Sequence, residues 1–199
     1  MKPSMTITDG VDLNMFCPKK EKVFPKPGEK LRVGWAGNSL WAYEQEDFKG
    51  VHTILIPAIT ELQERGYQIE LILLDSSKKK TPFTKMPDFY QNIDVYVCTS
   101  KIEGTPNPIL EAMASGVPFI STPVGIVRNV AGEKQSSYIM QERSIEELIR
   151  KLIKLLENPH ILKELSEENL ESIKPWSWNL KAPKFADFWK LLLATKEQQ

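Results

Sequence analysis

The segment Glu103-Gly-Thr-Pro-Asn-Pro-Ile-Leu-Glu111 is the clearest indication of the fold, because it follows an apolar strand and enters a helix. Asn107 is a residue type that caps helices, and Pro108 suits the first helical position, where its missing N–H costs nothing. The unpaired N–H groups and the positive dipole end of such a helix favour an anion, most naturally a phosphate. The stretch therefore predicts a ligand crevice at the end of a strand, as in open α/β sheets.

The two carboxylates of this stretch call for a ligand with many hydroxyl groups or for a cation. Their spacing alone also fits an acid and base pair for hydrolysis. Glu103 falls in the loop and Glu111 in the first turns of the helix, so both lie beside a helix N-terminus that favours phosphate. This position favours the binding of hydroxyl groups over proton transfer. The plainer alternatives are that Glu111 is a solvated helix residue and that Glu103 only caps a loop.

Strands and helices alternate along most of the chain. This alternation predicts right-handed crossovers and a Rossmann-like α/β fold: a doubly wound parallel sheet with helices on both faces and a helical C-terminal extension. We expect strands at 31–37, 68–74, 93–98, 117–121 and 137–140, and helices at 51–65, 87–92, 108–115, shortly after 126, and at 145–157, 160–173 and 178–194.

The chain divides into three predicted parts. Residues 1–30 are rich in proline and form a linker that includes an interdomain crossing. Residues 31–174 form the Rossmann-like domain. Residues 175–199 form a C-terminal helix that packs back on this domain or toward another domain.

Composition excludes several classes of protein. The 26 basic and 26 acidic side chains of the 199 residues leave no net charge, so no nucleic-acid partner is expected. No apolar run is long enough for a transmembrane segment, although peripheral membrane contact is left open. The polar N-terminus has no signal-peptide pattern, and Cys17 and Cys98 do not suggest a disulfide scaffold, so a cytoplasmic location is expected.

Several landmarks accompany the two glutamates in a fixed order. They are Gly10-Val-Asp12 with Phe16 and Pro18, Lys49-Gly50, Glu103-Gly104, Glu111-Ala-Met-Ala-Ser-Gly-Val-Pro118, Ser121-Thr-Pro-Val-Gly125 and Trp176-Ser-Trp178. With them the chain resembles the C-terminal, donor-binding domain of group 1 (family 4) retaining glycosyltransferases, which have the GT-B fold. The resemblance covers nearly the whole chain, and the ordered set is far more specific than one glutamate pair.

The resemblance implies a role for each site residue. Glu111 would hold the ribose hydroxyls of a nucleotide sugar, and Glu103, the catalytic candidate, would hold hydroxyls of the transferred sugar. Lys49 would neutralise the diphosphate leaving group, although a surface lysine without a special role is the plainer alternative. The loop around the diphosphate would comprise Gly104, Thr105, Pro106 and Asn107, with Asn38 near it.

The implied reaction is the transfer of a sugar, of hexosyl type, from a nucleotide-diphosphate sugar with retained anomeric configuration, in glycan or polysaccharide synthesis. The resemblance implies no cofactor and no metal. The acceptor, a sugar or a glycolipid, would bind through the missing N-terminal domain. The chain is therefore expected to be an excised C-terminal domain or a half enzyme, and to be inactive alone.

This sequence departs from the family pattern in three places. Asn38 and Ser39 follow Gly37, where the family usually has an arginine. The loop between Gly37 and Lys49 is longer than usual and contains Trp41 and Tyr43. The segment from 74 to 87 is too short for the extra helix and strand that often help to frame the nucleobase, so the identity of the base stays open.

Two other functions compete with this interpretation. The first is a non-catalytic nucleotide-sugar-binding or regulatory module of the same fold, which the missing arginine favours and the retained glutamates oppose. The second is another GT-B enzyme, such as a nucleotide-sugar epimerase or a phosphorylase, although no context for the cofactor-bearing lysine of a phosphorylase is visible.

Overall fold

The structure, a computed structural model, describes residues 6–18 and 22–196, with side chains up to residue 193. The parts of the predicted linker and C-terminal helix at 1–5, 19–21 and 197–199 lie outside the described residues. Within the described part, no helix is both long enough and apolar enough to cross a bilayer.

One sheet contains four parallel strands, β1 (Leu31–Gly37), β2 (Ile69–Asp75), β3 (Val95–Cys98) and β4 (Phe119–Ser121). Their order across the sheet is β2-β1-β3-β4. A non-sequential order of this kind requires helical crossovers, as the sequence predicts. The edge strand β2 pairs with β1 in a register that runs from Leu31 opposite Ile69 to Gly37 opposite Asp75.

The fifth strand predicted at 137–140 is wrong. That segment makes only one isolated parallel bridge, between Ser121 and Ile139. The backbone N–H groups of Tyr138 and Ile139 donate to Gln135 O and Ser136 O, at 3.0 and 3.1 Å, and so belong to the preceding helical turn. With these groups used locally, the segment cannot extend a strand ladder.

Helices connect and follow the strands at nearly the predicted places. A π-helical turn, Val51–Leu55, precedes the first helix, and a 3-10 turn, Phe83–Lys85, precedes the second. The helices are α1 (Ile56–Glu64), α2 (Met86–Gln91), α3 (Asn107–Ala114), α4 (Val127–Val130), α5 (Glu133–Ser136), α6 (Ile145–Glu157), α7 (Ile161–Ser172) and α8 (Trp178–Lys196).

Two apolar cores cover the two faces of the sheet. On β3, Tyr96 and Cys98 belong to one core, whereas Val95 and Val97 belong to the other. This division follows from the pleat, which turns successive side chains to opposite faces of a strand. Helices α2 and α3 contribute to the first core, and α1, α6 and α7 to the second, so the prediction of a doubly wound sheet is confirmed.

The last helix, α8, lies on the surface. None of its residues from 178 to 193 is buried, and it contains Pro183. Its start joins the segment at 6–18, because Trp178 N–H donates to Val11 O at 3.0 Å. Lys181 Nζ donates to Thr8 Oγ1 at 2.8 Å. The domain boundaries assigned from the sequence stay a prediction.

An ion pair between the half-exposed Arg32 and a buried carboxylate fixes β1 beside the start of β3, and its loss is expected to cost about 2 kcal/mol. Asp94 is fully buried and accepts hydrogen bonds from Arg32 N, Nε and Nη2, at 2.8, 3.0 and 2.6 Å. Asp94→Ala removes both acceptor oxygens and all three hydrogen bonds, so we expect a lower free energy of unfolding in urea denaturation. Glu70→Ala, which removes an exposed partner of Lys30, is the control. Equal losses in the two variants would contradict this prediction.

Candidate functional site

Two adjoining cavities open where β1 and β3 end and α3 begins. We call them the Glu111 cavity, of about 280 Å³, and the Glu103 cavity, of about 150 Å³. They share a wall formed by Ala36, Gly37, Asn107 and Pro108. The Glu103 cavity is also lined by Trp35, Lys49, Tyr96, Cys98, Ser100, Glu103, Thr105 and Pro106. The Glu111 cavity is also lined by Leu74, Ser76, Lys79, Thr81, Phe83, Met86 and Glu111.

In the Glu103 cavity, a cation and a carboxylate from distant parts of the chain meet. Lys49 Nζ lies 2.6 Å from Glu103 Oε1, although the two residues are 54 positions apart. Ser100 Oγ donates to the same oxygen at 2.8 Å. Trp41, from the long loop after β1, places its ring centre 5.4 Å from Lys49 Nζ. The structure therefore brings together two of the residues that the sequence singles out.

The backbone that carries Lys49 is held by Asp47. The buried Asp47 carboxylate accepts hydrogen bonds from the backbone N–H groups of Gly50, His52 and Thr53, at 2.8 to 2.9 Å. Burial raises the pKa of Asp47, but these hydrogen bonds outweigh burial and hold the pKa below its usual value. Asp47 therefore fixes the turn that directs Lys49 into the cavity.

Two further groups lock the same turn, and sequence reasoning missed them. Thr99 Oγ1 donates to Lys49 O at 2.8 Å. Arg143 Nη2 donates to Asp47 O at 2.6 Å, and Arg143 Nε donates to Thr99 O at 2.8 Å. Gly50 has φ +69°, and a Cβ there would lie 2.5 Å from Thr99 O. The glycine of Lys49-Gly50 is thus required by backbone conformation and close approach.

Glu111 projects from α3 and lines its cavity with one carboxylate oxygen engaged. Tyr90 OH donates to Oε2 at 2.7 Å. Burial raises the pKa of Glu111 to about 7, and the hydrogen bond from Tyr90 offsets only part of this rise. Among the hydrogen bonds of the described residues, none goes to Oε1. The carboxylate thus keeps acceptor capacity for a ligand in the cavity.

The rest of the Glu111 cavity is mostly apolar and carries one cation. Leu74, Phe83 and Met86 supply apolar surface, and Lys79 is the basic residue of the lining. Phe83 is 60% exposed, so a flat ligand has access to its ring. The short segment between β2 and α2 therefore frames this cavity without an additional helix and strand.

Asn38 is held away from both cavities. Its Oδ1 accepts a hydrogen bond from Leu40 N at 3.0 Å, and it is not among the described residues that line either cavity. The next residue, Ser39, donates through N and Oγ to Asp75, at 3.1 and 2.6 Å. Burial raises the pKa of Asp75, but the hydrogen bonds from Ser39 and Ser77 outweigh burial and lower this pKa to about 2.

The loop from Glu103 to the helix rests on a second glycine turn. Gly125 has φ +51°, and a Cβ there would lie 2.0 Å from the carbonyl oxygen of Gly104. This contact gives a physical reason for a glycine at the end of Ser121-Thr-Pro-Val-Gly125. Gly104 itself is not among the described residues that line the two cavities.

The predicted helix cap at Asn107 is wrong by one residue. Pro106 occupies the N-cap position, Asn107 is the first helical residue, and no side chain caps α3. The reason is a tight turn, since Asn107 N–H donates to Thr105 O at 2.8 Å and draws Asn107 into the helix. At α6 a serine does cap the helix, since Glu147 N–H donates to Ser144 Oγ at 3.2 Å.

Comparison with known proteins gives a family match over part of the chain and a shared fold. Residues 78–172, which include both glutamates, match the family model of group 1 glycosyl transferases. Protein CapJ of Staphylococcus aureus is 26% identical over 167 residues, which cover 72% of this chain. The matched region spans only 39% of the length of CapJ.

Several solved structures have the same fold. Sucrose-phosphate synthase of Thermosynechococcus elongatus superposes with a TM-score of 0.72 at 17% identity, over 95% of this chain and 52% of its own. A Staphylococcus aureus TarM variant superposes with a TM-score of 0.72 at 18% identity, over 92% of this chain and 38% of its own. The C-terminal domain of the glycosyl transferase group 1 protein LpcC of Francisella tularensis superposes with a TM-score of 0.62 at 18% identity, over 82% of this chain and 96% of its own. These likenesses confirm the expected Rossmann-like GT-B domain.

Proposed function

We propose that this chain binds the nucleotide-diphosphate sugar of a retaining sugar transfer, since residues 78–172 match the family model of group 1 glycosyl transferases. One observation carries this proposal. Two cavities join at the start of α3, one with Glu111 in an apolar wall and the other with Lys49 beside Glu103. Together they match a ligand with a nucleoside at one end, a sugar at the other and an anion near the second cavity.

The Glu111 cavity suits the nucleoside. Its apolar residues offer surface to a base, and the free acceptor capacity of Glu111 Oε1 suits ribose hydroxyls, which donate to a carboxylate. Lys79 lies on the same wall. A relative of the same fold, the TarM variant, was solved with UDP, so UDP is the first nucleotide to test.

The Glu103 cavity suits the diphosphate and the transferred sugar. Lys49 Nζ supplies positive charge, and the positive dipole end of α3 lies on the shared wall. Both groups stabilise the negative charge that grows on the leaving diphosphate in the transition state. Glu103 then accepts from sugar hydroxyls once Lys49 turns toward phosphate.

The proposed reaction breaks the bond between the sugar's anomeric carbon and the diphosphate oxygen, which keeps the electron pair. The acceptor hydroxyl oxygen forms its bond to the same carbon on the same face, and its proton passes to the departing phosphate. No proton transfer is assigned to Glu103 or Glu111. Independence from metal and cofactor stays a prediction, as does the binding of a sugar or glycolipid acceptor by a second domain.

The alternative function is nucleotide-sugar binding without transfer. The position of Asn38 favours it, because the side chain is engaged in a local turn and offers no second cation to the diphosphate. The two functions make the same prediction for nucleotide binding. They differ in sugar transfer, which is measured after the chain is combined with an acceptor-binding domain.

Lys49→Ala tests the diphosphate position. We expect about a tenfold or larger loss of affinity for UDP and little change for uridine, because only the diphosphate contacts the lysine. Isothermal titration calorimetry measures both ligands, with GDP as a second nucleotide. Lys101→Ala, which removes an exposed partner of Glu46, is the matched control. If the unaltered protein binds neither UDP nor GDP, the proposed function is overturned.

A further inference from the structure

Tyr90 is a fully buried phenol beside the Glu111 cavity. Rings of three other residues surround it: Phe16 lies 5.9 Å away, Phe89 5.1 Å and Tyr96 6.2 Å, between ring centres. Packing on several sides leaves the ring no alternative position, because protein cores are close-packed. The Tyr90 hydroxyl therefore has a fixed location.

This fixed hydroxyl is directed at a carboxylate on another helix. Tyr90 OH donates to Glu111 Oε2 at 2.7 Å, across the interface between α2 and α3. Such a short hydrogen bond to a carboxylate is stronger than one between neutral groups. The contact restricts the rotation of a side chain that could otherwise adopt several rotamers.

The hydroxyl also remains a donor over the whole accessible pH range. Burial raises the pKa of Tyr90 well above its usual value, and the neighbouring Glu111 raises it further. The buried Tyr96 on β3 adds to the rise in the pKa of Tyr90, Lys79 after β2 lines the same cavity, and Lys22 Nζ donates to Tyr90 O at 2.9 Å. Tyr90 therefore serves Glu111 as a permanent hydrogen-bond donor.

We propose that Tyr90 is a positioning residue for nucleotide binding: its hydroxyl holds Glu111 Oε2, so that Oε1 faces the ribose site in a fixed orientation. This proposal rests on the proposed function. The ligand class is a nucleotide with a ribose diol, since a fixed acceptor discriminates by the hydroxyls that reach it. Tyr90 does not contact the ligand and acts only through Glu111.

A double-mutant cycle tests this inference. Calorimetric titration with UDP is carried out on the unaltered chain, Tyr90→Phe, Glu111→Gln and the double variant. We expect Tyr90→Phe to bind UDP about tenfold more weakly and the double variant to bind no more weakly than Glu111→Gln alone. Weak affinities are measured by competition. Tyr138→Phe, in the other core and outside the lining of both cavities, is the control for removing a tyrosine hydroxyl and should bind normally.

A second readout separates positioning from a general packing defect. A carboxyl ¹³C titration of Glu111 should show a higher pKa in Tyr90→Phe, because the lost hydrogen bond lowers that pKa in the native chain. Additive losses in the cycle, or an unchanged pKa, would overturn the role of Tyr90. If the unaltered chain binds no UDP, the proposed function fails and the positioning role falls with it. If Tyr90→Phe binds UDP normally, only the positioning role fails.

Discussion

Glu111→Gln is expected to lose at least about 100-fold in affinity for UDP, the largest effect of any single site change on nucleotide binding. The carboxylate accepts hydrogen bonds from ribose hydroxyls in the proposed complex, and each such bond to a charged group is worth more than a neutral one. Glutamine keeps the shape but replaces one acceptor oxygen by a donor NH₂ group. Calorimetry measures the loss, with the exposed Glu171→Gln on α7 as the control.

On the proposed function, the same residue makes nucleotide affinity depend on pH. Burial raises the pKa of Glu111 from 4.5 to about 7, so this carboxyl group is largely protonated below that pH. Ribose hydroxyls favour the ionised form, which accepts from both, so UDP affinity is expected to rise as pH increases through about 7. Glu111→Gln should show no such rise. A flat profile in the unaltered chain would contradict the assignment.

Stability should change in the opposite sense. A raised pKa means that the folded chain binds the proton more tightly than the unfolded chain, so the contribution to stability is complete below pH 4.5 and is lost as pH rises through about 7. The difference amounts to at most about 3 kcal/mol. Glu111→Gln should therefore be more stable than the unaltered chain in urea at pH 8, and the gain should vanish near pH 4. A loss of stability at pH 8 would count against this account.

Gly125→Ala is expected to have the second large effect, by displacing the loop that carries Glu103. The added Cβ would lie 2.0 Å from Gly104 O and 2.9 Å from Glu103 O, both backbone atoms that cannot rotate away. The positive φ of +51° adds a strain of only about 1 kcal/mol, so the clash dominates. We expect a free energy of unfolding lower by about 3 kcal/mol or more and a loss of UDP binding.

Two other glycines separate the two causes. Gly66 has φ +89° but open space around its Cβ position, and Gly104 has open space without a positive φ. Gly66→Ala should therefore lose about 1 kcal/mol of stability from backbone strain alone. Gly104→Ala should show no loss from either backbone strain or a Cβ clash. Urea denaturation and UDP titration are measured on all three. If Gly125→Ala resembles Gly66→Ala, the loop is not held by this contact.

Much of the fold follows from local sequence patterns. Strand β1 has the predicted bounds, 31–37, because an apolar run ends at a glycine turn, and α6 begins at a serine cap with Glu147 three residues later. The segment at 137–140 has the composition of a strand but fails to form one. Its N–H groups donate to carbonyl groups of the preceding helical turn and are not available to a strand ladder. The residue types of the segment do not indicate which of these two pairings forms.

The supports of the candidate site could not be predicted in the same way. The residues Tyr90 and Glu111 lie 21 positions apart, and Arg143 lies 96 positions from Asp47. Such pairs become neighbours only after the sheet order is fixed, and no local spacing encodes them. The sequence points to Lys49, Glu103 and Glu111 through the family resemblance, whereas the groups that orient them depend on tertiary packing.

On the proposed function, the contact between Lys49 and Glu103 makes donor binding an exchange of partners. In the structure the ammonium and the carboxylate contact each other at 2.6 Å. A ligand that brings only a diphosphate takes the lysine and leaves Glu103 as a second negative charge beside its own. A complete nucleotide sugar also brings hydroxyl donors to that carboxylate. On the proposed function, the pair therefore favours intact donor over spent nucleoside diphosphate and promotes release of the product.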